Sequence, residues 1–482
     1  MVSVNSSPRR NRRFVAAALA AVAIAVPAAC SSPAGDGDRA TTTTAAPAST
    51  EPADTSAPTE SPGSTSPLTV APTSPADTGG TPSPTAPTPT DVAGPATGEP
   101  VRIAAMYPDL TVLASLGFAE DAGDLAGIWE VFADDANQRG GIAGRPIELV
   151  PVSFDLLVEG DAYRACLTAT QDLNAFIVLG MAGMYGDPVV CVAEQNETLL
   201  IGTDGFPAEF YERAAGRLFS MTPSKETTQL AIAQAFADEL AAAPFAVLSS
   251  LDTGGDNDAV QATLLPALRA AGLEPAMTIV LDSDSEVAAG QIPLEVRALR
   301  DAGVATIVST TNFVASAAFA QALDAAGVDL TWVGSDAAGF ASNLFASQIA
   351  PAQLDGALAT TFTTLGWEEG GLPELPYATE CRQRAADLLG RDVPTQGVDT
   401  FSALVVCSLT DLLVAAGQAV DGELTTESMS SALQSVTDFP LATWGPAGFA
   451  AGRFEAARAA RTVTWSADCE CWSARGDFEP LG

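Results

Sequence analysis

The sequence predicts an α/β protein built as two lobes of similar architecture that are joined by three chain crossings. Apolar runs of strand length alternate with helix-length segments and turn residues from residue 101 onward, the pattern of parallel sheets covered on both faces. The same alternation begins again after the stretch Leu218 to Thr222, so the chain is expected to enter a second lobe there. It returns near Thr361 and comes back once more toward the C-terminus. Three crossings make a hinge, and a hinge between two comparable lobes suits capture of a ligand by closure.

The elements follow in order. VRIAAM (101–106) is an apolar run long enough for a buried strand. The loop YPDLTVLASLGFAED after it lies off the carboxyl end of a first strand, where open α/β sheets hold ligands. Leu125, Ile128, Trp129, Phe132 and Ala136 mark one face of a helix, which Gly140 and Gly141 stop, and IAGRPIELVPVSFD returns as a second strand. A helix over 161–173, a strand over 175–180, the glycine loop MAGMYG, a helix from Asp187 and a strand over 198–202 complete the first run.

In the second lobe, strands are predicted over 245–250, 276–282, 305–310 and 330–336. Helices between them cover 258–272, with Val260, Leu264, Leu265 and Leu268 inward, then 293–303 and 315–327. ATTFTTLGW crosses back to two long helices, 376–389 and 400–418, and a shorter one over 426–434. TVTWSADCECW is read as one last strand in the second lobe. The predicted organisation is a signal peptide (1–29), a linker (30–100), a first lobe (101–221 and 362–445) and a second lobe (222–361 and 446–482).

Composition narrows the function. The chain has 482 residues, 47% of them apolar, enough for two cores. Its net charge of -37, with Lys225 as its single lysine, repels phosphate backbones and argues against a nucleic-acid partner. The absence of histidine removes the commonest general base and transition-metal ligand, so no enzyme, metal or cofactor is expected.

The N-terminal PRRNRR followed by FVAAALAAVAIAVPAAC has the basic and apolar regions of an export signal. Its ending resembles a bacterial lipobox with Cys30 as the lipidated residue; an ordinary cleaved signal is the alternative, and the export route is left open. From 31 to 100 the chain is Thr, Pro, Ala, Ser and Gly, too polar to bury a core, which predicts a disordered tether reaching on the order of 200 Å.

With Cys30 set aside, six cysteines remain in an exported chain. Cys166 and Cys191 fall at equal depth in two successive helices, and Cys381 and Cys407 are equidistant from the loop of a helical hairpin. Both pairs are therefore placed to bridge. Cys469 and Cys471 form a C-x-C, for which a bridge, free thiols or other pairing stay open. The spacing lacks a paired C-x-x-C, which argues against zinc.

The run ADDANQRGGIAGRPIELVPVSFD resembles the first βαβ unit of type I periplasmic binding proteins, in particular the branched-chain amino acid binding group of ABC importers. The resemblance spans residue 101 to the C-terminus. It implies two Rossmann-like lobes, a small-molecule ligand between them, an ABC permease as partner, a monomer, and a location outside the cell membrane. By position it places the ligand among Tyr107, Phe118, Gly183, Met184, Tyr185, Thr203, Asp204, Phe206, Asp252, Asn312, Phe313 and Asp336. Bare amides in the glycine loop suit a carboxylate, but Gly183, Met184, Tyr185 and Phe206 stand where the family's amino-acid binders show hydroxyls. Gly254 and Asn312 likewise stand where those binders show tyrosines. Asp336 aligns with the acidic residue that faces an ammonium group, or else caps the helix that follows it. The glycine loop reads G-x-x-G-x-x-G, which is not the dinucleotide spacing. A sensor domain and a structural surface protein with a degenerate cleft are the rival functions.

Overall fold

A computed structural model describes residues 94–112, 123–251, 255–364, 374–395 and 397–481. The signal peptide, Cys30, most of the linker, Phe118 and Asp252 lie outside the described residues. The linker's end is tied down: Ala96 N–H donates to Asn137 O and Thr97 N–H to Gly144 O.

The first sheet holds β1 (Val101–Pro108), β2 (Ile147–Phe154), β3 (Ile177–Gly180), β4 (Leu199–Gly202) and β5 (Leu218–Ser220). Its order is β2-β1-β3-β4-β5 and every pairing is parallel. β3 and β4 are buried along their whole length, which is why they read as unbroken apolar runs rather than alternating ones. The helix Leu125–Gln138 starts where Asp124 accepts the Gly127 N–H, and its predicted face is buried in the first core. Fully burying Trp129 and Phe132 contributes about 2–3 kcal/mol each. At the turn after it, a Cβ on Gly141 would lie 2.1 Å from the Arg145 carbonyl oxygen, so only glycine fits.

The second sheet holds β6 (Phe245–Ser250), β7 (Met277–Leu281), β8 (Thr306–Ser309), β9 (Thr331–Ser335), β10 (Leu358–Thr361), β11 (Ala459–Ser466) and β12 (Cys471–Ala474), with β13 (Glu479–Pro480) on β11. The order is β12-β11-β10-β9-β8-β6-β7, parallel from β10 through β7 and antiparallel at β11 and β12.

Two elements differ from the sequence reading. The helix expected to start at Pro293 spans Ser285–Asp301, because Asp284 caps it by accepting the Glu286 and Val287 amides, and Pro293 lies inside it. The last strand is a hairpin: Glu470 takes a positive φ of 51°, and Trp465 and Trp472 pair across it with ring centroids 5.6 Å apart. β5 and the helices Ala208–Ala214, Lys225–Ala235 and Ala237–Ala241 are elements the sequence reading did not assign.

The long helix Val398–Gln418 is apolar enough to cross a membrane by length and composition, yet it is mostly buried in the first core beside Leu125–Gln138 and Pro376–Leu389. Among the described residues three bridges are present: Cys166–Cys191, Cys381–Cys407 and Cys469–Cys471. Asp411, next to the second, accepts from Arg139, Arg384 and Tyr377.

The crossings hydrogen-bond to one another. Ser220 N–H donates to Phe454 O and Ala456 N–H to Ser220 O, while Thr363 pairs with Trp444. Ala447, Phe449, Ala456 and Ala457 belong to the first core, and the chain joins the second sheet at Ala459.

Candidate functional site

In a parallel sheet all carboxyl ends share one edge, and the loops leaving that edge are free to carry ligand contacts. The loops after β4 and β6 meet: a Cβ on Gly255 would lie 2.8 Å from Pro207 Cγ. Beside them, Ala208 N–H donates to Glu226 Oε2 at 2.9 Å, which ties the first lobe to the helix that opens the second.

A charged cluster lies at this meeting point. Asp204, just past β4, accepts the Gly183 N–H on its Oδ2 at 2.9 Å. Burial pushes its pKa up to about 6, against the opposing pull of the Gly183 amide, the Lys225 charge and the Met184 amide. Lys225 is the first residue of Lys225–Ala235, capped by Ser224, whose side chain accepts the Thr227 N–H. Its Nζ is 2.6 Å from Asp256 Oδ1, and both side chains are almost fully buried. The same ammonium lies 5.5 Å from the centre of the Tyr185 ring. An ammonium is tolerated in such a place only where carboxylates neutralise it, and here one comes from each lobe.

Next to the cluster, Glu455 on the third crossing accepts from the Thr227 hydroxyl at 3.5 Å, and burial raises its pKa. Tyr211 shares a 2.7 Å hydrogen bond with Ser220, and burial lifts its phenol well above the ordinary range.

The remaining expected ligand residues divide into three groups. Tyr185 is part exposed and Thr203 is buried, its hydroxyl without a hydrogen-bond partner among the described residues. Met184 and Phe206 turn into the first lobe instead: each folds back over the glycine four residues earlier, so a Cβ on Gly180 would lie 2.7 Å from Met184 Sδ and one on Gly202 2.7 Å from the Phe206 ring. Glycine at those strand ends makes the space that the larger side chain fills.

The third group makes contacts within the fold. Asn312 caps Phe313–Ala325 by accepting the Ala315 N–H, and Phe313 packs against the second core. Tyr107 is half-buried, its phenol pushed up by burial and by Asp124, Asp109 and Glu130. The Asp336 carboxylate accepts from the hydroxyls of Thr361 and Thr363 and from the amides of Phe362 and Thr363. It is therefore bound to the second crossing, and the short helix after it is capped by Ser335 instead. Burial raises its pKa against those hydrogen bonds.

Lys225 and Asp256 were not among the expected residues. The usable signal was composition: one lysine in 482 residues is a position worth asking about.

Solved structures with the same fold cover about four-fifths of this chain. One is a branched-chain amino acid ABC transporter protein from Thermus thermophilus with bound valine: TM-score 0.58, 15% identity, covering 79% of this chain and 97% of that one. A branched-chain amino acid transporter substrate-binding protein from Streptococcus pneumoniae, in complex with isoleucine, has TM-score 0.57 and 15% identity, covering 79% of this chain and 100% of that one. An ABC transporter solute-binding protein from Rhodopseudomonas palustris, in complex with 3,4-dihydroxybenzoic acid, has TM-score 0.57 and 13% identity, covering 79% and 97%. No curated protein matches the sequence. The family model for periplasmic binding proteins matches residues 100–470, most of the chain and both sheets, and the protein belongs to that family.

Proposed function

We propose that this protein is the extracytoplasmic solute-binding component of an ABC importer, held at the outer face of the bacterial membrane by a lipid on Cys30. It binds and delivers; it does not transform its ligand. Loops from two facing sheets close on a small polar molecule such as an amino acid, an amide or a related compound, and the closed monomer presents it to a membrane permease. The observation that carries this reading is the convergence of both lobes on Lys225, at the foot of a hinge made of three crossing segments. The structural neighbours bound to valine, isoleucine and a dihydroxybenzoic acid support it by analogy of fold. Closure is driven only by a ligand's preference for the closed state over the open one.

The test is a thermal-shift screen of the mature protein against amino acids, amides, urea and short peptides, followed by small-angle scattering with each hit. A ligand at a hundredfold excess over its Kd stabilises the fold by about 2.7 kcal/mol. A hit that also reduces the radius of gyration supports the proposal, and no shift with any member of the panel sinks it. For the anchor, Cys30→Ala is expected to release the protein into the medium.

A further inference from the structure

We propose that Asp204 and Lys225 are specificity determinants that occupy, from within the chain, the two charged positions a free α-amino acid would need, so that the ligand of this cleft is an uncharged molecule. The inference rests on the cleft being the solute site proposed above, and it names the class of solute.

The geometry is that of a built-in zwitterion. The amides of the glycine loop are the donors a ligand carboxylate would seek, and that of Gly183, at its centre, is taken by the Asp204 carboxylate at 2.9 Å. Asp256, the buried carboxylate that the second lobe brings to the cluster, is taken by Lys225 at 2.6 Å. The two halves of this arrangement attract each other, since the Lys225 charge acts on Asp204 as well. Anion on a loop amide and cation on a carboxylate are the contacts an amino acid makes, here supplied by a side chain from the loop after β4 and one from the helix that follows the first crossing.

An incoming zwitterion therefore pays twice. Its carboxylate has to displace Asp204 from the Gly183 amide and leave a buried aspartate short of a donor, and its ammonium has to compete with Lys225 for Asp256. An incoming anion fares no better, because two aspartates and one lysine leave the cluster with one negative charge in excess when all are ionised. An uncharged amide or polyol meets neither penalty. It has the part-exposed ring of Tyr185 to lie against.

The experiment compares the wild-type protein with Asp204→Ala/Lys225→Ala and with the near-isosteric Asp204→Asn/Lys225→Met. Calorimetry and thermal shift are run with glycine, alanine and leucine, and with acetamide, urea and glycerol. Wild type is expected to give no response to the amino acids, and at least one double variant to gain glycine or alanine binding by about tenfold or more. Wild-type binding of a free amino acid as tightly as either double variant overturns the inference while leaving the solute-binding role intact. So does a double variant that keeps its circular dichroism and gains nothing. A wild-type protein that binds neither class while a double variant gains glycine upholds the stand-in and tells against the solute-binding role.

Discussion

Asp336 and Thr363 are joined twice: the carboxylate Oδ2 accepts the threonine hydroxyl at 2.8 Å and its amide at 3.1 Å. The end of β9 is thereby fastened to the second crossing, with Thr361 and the Phe362 amide completing the set. Removing the acid strands several buried donors at once. Asp336→Ala is expected to lower stability by about 3–5 kcal/mol in urea unfolding, and Asp336→Asn by less, because the amide keeps one acceptor. As the carboxylate is spent on the hinge, the ligand range of Asp336→Asn should match that of wild type in the same screen.

Asp204 makes stability depend on pH in a direction opposite to the usual carboxylate. Its folded pKa of about 6 is above the ordinary 3.8, so the folded state holds the proton more tightly than the unfolded chain. The contribution is fully present below pH 3.8 and is lost as pH rises to about 6, by about 3 kcal/mol at most. The unfolding free energy of Asp204→Asn minus that of wild type should therefore grow between these two values and level off above them. A difference that shrinks with rising pH would reverse the assignment.

Gly205 has no room for a side chain. A Cβ there would lie 1.9 Å from the Pro223 carbonyl oxygen, a backbone atom of the first crossing that cannot rotate aside. Gly205→Ala should cost about 1–3 kcal/mol, whereas Gly144→Ala, with open space around it, should show only the strain of its positive φ. The two are compared by thermal unfolding.

The Cys166–Cys191 bridge closes a loop of 25 residues, which by loop entropy is worth about 3 kcal/mol. Cys166→Ala/Cys191→Ala should lower the urea midpoint accordingly, and a reducing agent should move wild type in the same direction.

Strands and long helices were legible because they are buried on regular faces. VRIAAM, TLLIG and FAVLSS are unbroken apolar runs, and Leu125 through Ala136 repeats at helical spacing. Lys225–Ala235 was missed for the opposite reason: its buried face includes Lys225, Thr228 and Gln229, so apolar periodicity is absent where the helix meets the cleft. Met184 and Phe206 were expected at the ligand because they occupy the right loops. Their direction was set by the bare glycines at Gly180 and Gly202, a packing relation across four residues that no pattern of hydrophobicity records. The cluster around Lys225 draws on segments spread from Gly183 to Asp256, and only the fold brings them together.

The order of elements along the chain has a practical side. β1 to β5 are finished by Ser220, but helices Pro376–Leu389 and Val398–Gln418, which cover that sheet, come only after most of the other half. β11 and β12 then complete the other half from the last two dozen residues. A protein truncated at any single point therefore leaves a naked hydrophobic sheet or an unfilled gap in one, and the halves are obtained separately only by splicing distant pieces. Neither half is therefore complete until nearly the whole chain is available to fold.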